Sequence, residues 1–273
     1  MTDANGPEFD RDTMPFVAPC RQLSPLAPFR WLKLGIDDLL LAPRESMIYG
    51  VVMAGVMAVV SIASWIYGTH WLMLAMLGGF VFLAPLACIG LYAISAQLER
   101  KQPVSLARSL QAAFRRHFGN EMVFALVLMV IFLVWARAGA MITVFFPEDG
   151  QWEAADLKMY LTIGTIVGAI FAGVTFSASA FSLPMIMHRD VDSITAVVTS
   201  INAVLRNKLA MLVWMSLIVV GLLLGLVTAF VGLAVILPVI GYGAWHGYLE
   251  TIDASQFPRH AVGITATPRP PAA

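Results

Sequence analysis

An uncharged stretch of about 40 residues near the C-terminus constrains the fold of this chain more than any other feature. From Leu209 to Tyr248 there is no Asp, Glu, Lys or Arg. A single helix of that length would extend about 60 Å, twice the ~30 Å thickness of a bilayer's hydrocarbon core. The stretch therefore predicts two membrane-spanning helices, and we place the turn between them near Thr228 to Gly232.

Other apolar runs extend this prediction to the whole chain. The chain is 59% apolar and 12% charged, whereas soluble domains are roughly a quarter charged. Counting runs of about 20 apolar residues gives six spans. They are residues 47–67, 71–96, 122–146, 157–187, 209–228 and 232–249. The predicted fold class is all-α, a polytopic membrane bundle of six transmembrane helices in one domain over residues 29–250.

The distribution of Lys and Arg predicts the orientation of this bundle. Basic residues in short loops are retained on the cytoplasmic side. Each segment on the same side as the two chain termini carries two or more Lys or Arg residues, whereas the opposite side carries only Lys158. The sequence therefore predicts a bacterial inner-membrane protein with a cytoplasmic N-terminal tail (1–28) and a cytoplasmic C-terminal tail (251–273), the latter disordered because of its composition.

Three amphipathic segments precede pairs of spans on the predicted cytoplasmic side, at 28–41, 104–118 and 192–206. They predict three interfacial helices that lie on lipid or pack under the bundle. With a proline in each even-numbered span, they suggest a threefold helix-plus-hairpin repeat. In the first segment we place Asp37 and Asp38 on the polar face; in the third, Asp192 is the expected N-cap. The apolar stripes are Phe29, Leu32, Ile36, Leu39 and Leu40 in the first, and Ile194, Val198, Ile201 and Leu205 in the third.

Arg137 is the most unusual residue, because it lies within the third predicted span. An unpaired Arg there costs about 2.5–3.5 kcal/mol on insertion scales, so it should face the bundle, a water-filled cavity or a partner. One interpretation is a site for an anionic substrate or lipid headgroup. The other is an arginine that extends outward toward Glu148 or Asp149.

The other candidate residues lie near span ends. Trp245 and His246 close the sixth span, where Trp245 suits an interfacial aromatic belt. His188, placed in a loop, precedes Asp190 and Asp192, which have the residue types of a metal site but also suit a charged exit followed by a helix cap. A haem between two membrane histidines would need a second donor at the depth of His246. The sequence predicts no metal and no cofactor.

Several motifs together carry a family resemblance. They are Ser46-Met-Ile-Tyr-Gly, Ala84-Pro-Leu through Gly90-Leu-Tyr, Ser179-Ala-Phe-Ser-Leu-Pro with Arg189-Asp-Val-Asp, and Pro238 to Tyr248. The resemblance covers roughly residues 29–250, and it identifies the chain as similar to a proteobacterial family of integral membrane proteins catalogued as domain of unknown function 2189. It implies an inner-membrane protein, and some members carry the label of a cytochrome c oxidase subunit. A catalytic haem-copper subunit would need about six histidines on its spans, and where the family tends to have Gly-His this chain has Gly241-Tyr242.

These observations favour a non-enzymatic accessory, assembly or scaffold protein of the inner membrane. Its expected partners are the lipid bilayer and a membrane protein, such as a respiratory complex or an assembly factor. The alternative is a small permease or lipid-handling protein that uses Arg137 and the proline-kinked spans. Basic and acidic residues are equal in number, so net charge offers no reason to expect a nucleic-acid partner. An enzyme is the third possibility, because no catalytic constellation stands out.

Overall fold

The computed structural model describes residues 15–67, 84–107, 118–145 and 154–258. This part of the chain is helical and has no β-strand beyond one isolated bridge between Cys20 and Ile252, which confirms the all-α fold class. The helices are α1 (Ala27–Leu41), α2 (Pro43–Tyr67), α3 (Ile89–Glu99), α4 (Phe118–Thr143), α5 (Ala154–Ser179), α6 (Ser182–His188), α7 (Ser193–Arg206), α8 (Lys208–Val227) and α9 (Leu233–Thr251).

Among the described residues, four stretches of helix are long and apolar enough to cross a membrane. They are α2, residues Met122–Ile142 of α4, the α5–α6 stretch Ala154–His188, and α8. They support a multi-pass helical membrane protein. The count of six spans stays a prediction, because half of the second span, residues 71–83, lies outside the described residues, and α9 is not among these four.

The predicted fold-back of the long uncharged stretch is confirmed. Helix α8 ends at Val227 and α9 begins at Leu233. Ala229 and Phe230 have φ of 50° and 69°, left-handed values that reverse the chain within a few residues. Because side chains with a Cβ rarely adopt this conformation, the turn relies on other bonds, such as Gly232 N–H donating to Thr228 Oγ1 at 2.9 Å.

The predicted fourth span is interrupted. It consists of α5 and α6, and the break at residues 180–181 comes just before Pro184 in the first turn of α6. A proline ring cannot continue the preceding helix, and the polar groups freed inside a membrane protein need partners. Ser200 of α7 supplies them: its hydroxyl donates to the carbonyl of Ser177 at 2.8 Å and accepts from Phe181 N–H at 3.1 Å. The kink expected at Pro184 is therefore a break between two helices, within the stretch Ala154–His188 that is long and apolar enough to cross a membrane.

Helix α9 lies at the centre of the described structure, where it contacts α1, α2, α3, α6 and α8. Two glycines make this close packing possible. A Cβ on Gly50 of α2 would overlap the carbonyl oxygen of Ala234, and one on Gly35 of α1 would overlap that of Val239. Small residues let helix backbones approach closely in membrane proteins. The chain from α1 through α2 therefore runs directly against α9.

The α4–α5 hairpin is packed differently. Its two helices contact each other and reach the other described helices chiefly through α6 and α7. Phe124 and Leu128 are buried on α4, but most of its apolar side chains are exposed. The exposed ones include Met122, Leu126, Met129, Val130, Leu133, Val134 and Met141. The hairpin therefore presents an apolar surface of the kind that faces lipid.

The described part of the predicted N-terminal tail is folded against α7. Ala18 N–H donates to Thr199 Oγ1 at 3.1 Å, and Leu23 N–H donates to Asn207 Oδ1 at 2.8 Å. Burial raises the pKa of the Cys20 thiol above its ordinary value. Residues 15–26 are therefore an ordered segment, while residues 1–14 lie outside the described residues.

The chain leaving α9 pairs with this segment. Arg21 N–H donates to Thr251 O at 2.8 Å, and Asp253 N–H donates to Pro19 O at 2.9 Å. Further along, Arg189 Nη1 donates to the carbonyl of Phe257 at 2.8 Å. Residues 15–26, α7 and residues 252–258 form what we call the terminal layer. The disorder expected of the C-terminal tail stays a prediction for residues 259–273, which lie outside the described residues.

Helices α1 and α7 confirm two of the three predicted amphipathic segments as helices, and the third, 104–118, lies mostly outside the described residues. The sequence did not predict which face of α1 would be buried. The face of α1 with Trp31, Gly35 and Asp38 is buried, because α9 packs against Gly35. Asp38 thus lies opposite the apolar stripe, as expected, but this polar face is turned inward against α9. Phe29, Ile36, Leu40, Ile194 and Leu205 of the apolar stripes are exposed instead.

Candidate functional site

Three helices bring polar side chains together in the interior of the protein. Asp38 of α1, Ser95 of α3 and His246 of α9 form what we call the Asp38 cluster. Ser95 Oγ–H donates to Asp38 Oδ2, and His246 Nε2 lies 2.9 Å from the same oxygen. The Asp38 and His246 side chains are only 10% and 20% exposed. A carboxylate can only accept, so Nε2 is the donor, and the imidazole can keep this bond whether neutral or protonated.

The Asp38 cluster is the middle step of a longer row. Tyr242, His246 and Glu250 follow each other at i, i+4 and i+8 on α9, so they share one face; we call them the α9 ladder. Tyr242 OH lies 2.6 Å from Ser46 Oγ of α2. At the other end, Glu250 accepts from Trp31 Nε1 at 2.9 Å and pairs with Arg30, both on α1. Every residue of the ladder thus bonds the helix pair that packs along α9.

The chemistry available to the Asp38 cluster follows from the direction of its bonds. A nucleophilic serine needs a base that takes its proton, with an orienting group behind that base. Here the Ser95 hydroxyl and the His246 imidazole both donate to one carboxylate oxygen of Asp38, and they do not bond each other. The arrangement therefore ties three helices together and does not prepare Ser95 for attack.

A second face of α9 carries Trp245 and Tyr248, which pack against His188 of α6. His188 Nδ1 lies 2.9 Å from Tyr248 OH, and its ring centroid is 5.6 Å from that of Trp245. Trp245 Nε1–H donates to Glu99 Oε2 at 3.3 Å. Trp245 is only 1% exposed, so its placement in an interfacial belt is wrong. His188 is buried at the end of a helix, so its placement in a loop is also wrong.

The two buried histidines are engaged on different faces of α9. His246 bonds Asp38 on the side of α1, whereas His188 lies against Trp245 and Tyr248. His188 packs against Trp245, the residue that precedes His246 on α9. Because adjacent residues on a helix are about 100° apart, the two imidazoles have different surroundings. Within the described ranges, no group of three or more His, Cys, Asp or Glu side chains is placed to hold a metal ion.

Arg137 lies on the exposed surface of α4. Its guanidinium has no bond or ion pair to another residue in the part of the chain that the structure describes. The acids toward which it was expected to extend, Glu148 and Asp149, fall outside the described residues. Arg137 is therefore separate from the Asp38 cluster and from the ladder on α9.

Asp190 and Asp192 have distinct surroundings. Asp192 caps α7, since its Oδ1 accepts from the backbone N–H groups of Ile194 and Thr195, each at 2.9 Å, which confirms the predicted cap. Asp190 is exposed, and its backbone N–H donates to Pro258 O at 2.9 Å. His188 is directed into the α9 interface. The residue types of a possible metal site thus occur together in sequence but serve three different contacts.

Sequence reasoning missed Asp38, Ser95 and Glu250 as partners in one interface. A usable signal exists in the i, i+4, i+8 spacing of the α9 ladder, because polar side chains on one face of a span need partners on another helix. Ser95 has no comparable signal. It becomes recognisable only when α3 is seen against α1.

The apolar helices and the polar bonds buried between them define a multi-pass α-helical integral membrane protein. Residues 72–188 match the model of the family described as "Predicted integral membrane protein (DUF2189)". This match confirms the family resemblance that the motifs carry. No curated protein and no solved structure matches the chain.

Proposed function

We propose that this chain is a non-enzymatic accessory, assembly or scaffold protein of a bacterial inner membrane. The observation that supports the proposal is the use of its polar side chains. The α9 ladder bonds α1 and α2, and His188 and Glu99 bond the opposite face of α9. The groups that an enzyme would direct at a substrate here join one helix to another.

The terminal layer supports the scaffold role. It holds residues 15–26 on α7 through bonds such as Ala18 N–H to Thr199 Oγ1. Backbone bonds such as Arg21 to Thr251 and Asp253 to Pro19 join these residues to the chain leaving α9. Segments held in this way offer a partner a preformed surface, and preorganisation lowers the entropy lost on binding. The expected partner is a membrane protein, such as a respiratory complex or an assembly factor.

The first experiment is a pull-down of the tagged full-length protein from its native membrane in a gentle detergent. Mass spectrometry then identifies the proteins and lipids retained. Under the proposal, the wild type retains a partner in stoichiometric amount, and Arg137→Leu retains the same partner. Recovery of the bare protein would contradict the accessory role.

A small permease or lipid-handling protein is the second candidate. It is favoured by Arg137, which is exposed within a candidate span and bonds no other described residue. A cation there can hold an anionic substrate or headgroup. This candidate predicts that a defined small molecule or lipid co-purifies with the wild type and is lost in Arg137→Leu. Retention of that molecule by the variant would exclude the role of Arg137.

A further inference from the structure

The apolar stripes of α1 and α7 face away from the protein. Leu40 of α1 is 67% exposed and Leu205 of α7 is 57% exposed. The inner faces of these helices carry small or polar residues, such as Gly35 and Asp38 on α1 and Thr199 on α7. A helix on a soluble protein turns its apolar stripe inward. Here the stripe is turned outward on two helices that belong to separate copies of the predicted repeat.

Each apolar stripe adjoins the exposed surface of the candidate span that follows it in the chain. A single buried residue, Ala42, joins α1 to α2, and a single buried residue, Asn207, joins α7 to α8. The exposed apolar surface continues from Leu205 onto Leu209 and Leu212 of α8. Because α8 is apolar enough to cross the membrane, its first turns lie near the headgroups. The stripe of α7 is therefore held at that depth.

The α1–α2 junction repeats this arrangement. The exposed surface of Leu40 and Leu41 continues onto Ile48 and Val51 of α2. An apolar stripe that is continuous with a lipid-facing helix surface has lipid as its natural cover, because no change of surroundings occurs between the two. A protein partner would have to cover both stripes and leave the adjoining spans to lipid.

The borders of the stripes are basic. Lys33 and Arg44 are exposed beside the stripe of α1, and Arg206 and Lys208 are exposed beside that of α7. Among nearby acids, Asp37 is exposed and Glu45 is half-buried, while Asp38 is buried in its cluster and Asp192 caps α7. Arg30 is paired with Glu250. The cations outnumber the exposed acids, which suits acidic headgroups.

We propose that α1 and α7 lie in one leaflet's interface and that their basic borders bind the headgroups of acidic phospholipids. This inference goes beyond the accessory role, because it concerns the lipid around the protein and holds with or without a protein partner. The two proposals can fail separately, since one is tested by retained proteins and the other by the surroundings of the stripes.

The first test places spin labels in the full-length protein, reconstituted in bilayer discs of phosphatidylcholine and phosphatidylglycerol. Leu40→Cys and Leu205→Cys report on the stripes, with Asp37→Cys as a control on the polar border of α1. We expect labels at 40 and 205 to collide with dissolved oxygen more often than with a water-soluble nickel complex, and the label at 37 to show the reverse. Frequent nickel collisions at 40 and 205 would overturn the proposal. Shielding from both reagents would overturn it too, because a second copy or another protein would then cover the stripes.

The second test measures headgroup preference. The purified protein is equilibrated with equal amounts of phosphatidylglycerol and phosphatidylcholine, and native mass spectrometry counts the lipids retained. Each border cation is expected to contribute about fivefold to the preference for phosphatidylglycerol. Lys33→Gln with Arg44→Gln, and Arg206→Gln with Lys208→Gln, should each lower it more than tenfold, whereas Lys158→Gln on α5 should leave it unchanged. An unchanged preference in both double variants would overturn the headgroup assignment.

Discussion

Helices α9 and α4 show two ways in which a helix of this protein meets its surroundings. Helix α4 is the more uniformly apolar of the two, yet most of its large side chains are exposed. Helix α9 carries Tyr242, Trp245, His246 and Tyr248, and it packs against α1, α2, α3, α6 and α8. Lipid tails are as apolar as leucine, so apolarity gives a helix no reason to leave the lipid. Close packing and polar bonds therefore determine which helix lies in the interior of the protein.

The glycines of the two regions differ in the same way. Around α9, Gly35 and Gly50 have no room for a Cβ, whereas Gly119 and Gly139 of α4 have no atom within 4 Å of the place a Cβ would take. Glycine therefore permits backbone contact at α9 and has no such role at α4. The interior of this protein is defined by where backbones approach each other.

The largest expected effect tests that contact. Gly50→Ala should destabilise the protein by about 3 kcal/mol, because the new methyl group meets the backbone of α9, which cannot rotate away. Gly55→Ala on the same helix is the control, since nothing lies within 4 Å there, and it should be neutral or slightly stabilising. Thermal unfolding in detergent compares the two. Equal stability of both variants would mean that α2 does not pack on α9 in this way.

The next effect removes the centre of the Asp38 cluster. Asp38→Ala should cost about 2 kcal/mol, because it leaves the buried Ser95 hydroxyl and His246 imidazole without their shared acceptor. Asp37→Ala, one residue away and exposed, should change the free energy of unfolding by less than about 0.5 kcal/mol. If the two variants unfold alike, the polar bonds do not distinguish α9 from α4.

A smaller effect is expected from Trp245→Phe, which keeps most of the ring and removes the donor to Glu99. The loss of one hydrogen bond should cost about 1 kcal/mol. Trp65→Phe on α2 is the control. Because Trp65 is exposed, this substitution should leave the free energy of unfolding unchanged. Chemical unfolding followed by circular dichroism measures both; a larger cost at position 65 would contradict the burial of Trp245.

The smallest effect on stability is expected on α4 itself. Arg137→Leu should change the free energy of unfolding by less than about 0.5 kcal/mol, because the side chain is exposed and has no bond within the described chain. Insertion into the membrane should improve, because a cation is removed from the span. A glycosylation-based insertion assay measures the second outcome. Marked destabilisation would mean that Arg137 has a partner within the protein.

The elements that depend on local sequence were predictable. The lengths of apolar runs predicted α2, α8 and the turn at 228–232, and the position of Asp192 predicted the cap of α7. Each depends on residues that are neighbours in the chain. The site was less predictable. Asp38 was correctly placed opposite the apolar stripe of α1, but an inward polar face contradicts the rule for helices in water, so its burial was not expected.

The burial of Trp245 and the break before Pro184 depend on contacts with residues distant in sequence. Tryptophan is a residue type common in interfacial aromatic belts, and Trp245 is buried only because α3 and α6 pack around α9. Pro184 predicted a kink, but the helix breaks just before it, and the backbone groups freed there are bonded by Ser200, from a helix further along the chain. Neither partner can be found by reading the residues around the affected position.

The pairing of α1 with α9 also sets an order in time. Asp38 and His246 are separated by 208 positions, so the ribosome makes the first long before the second. At roughly 5–20 residues per second, this interval is about 10–40 s. During it, α1 is complete but lacks the surface on which it will rest, and its carboxylate must stay hydrated or be shielded by the insertion machinery. Synthesis of the last helix is therefore the event that closes the fold, and chains that stop before it leave their first helix exposed to quality control.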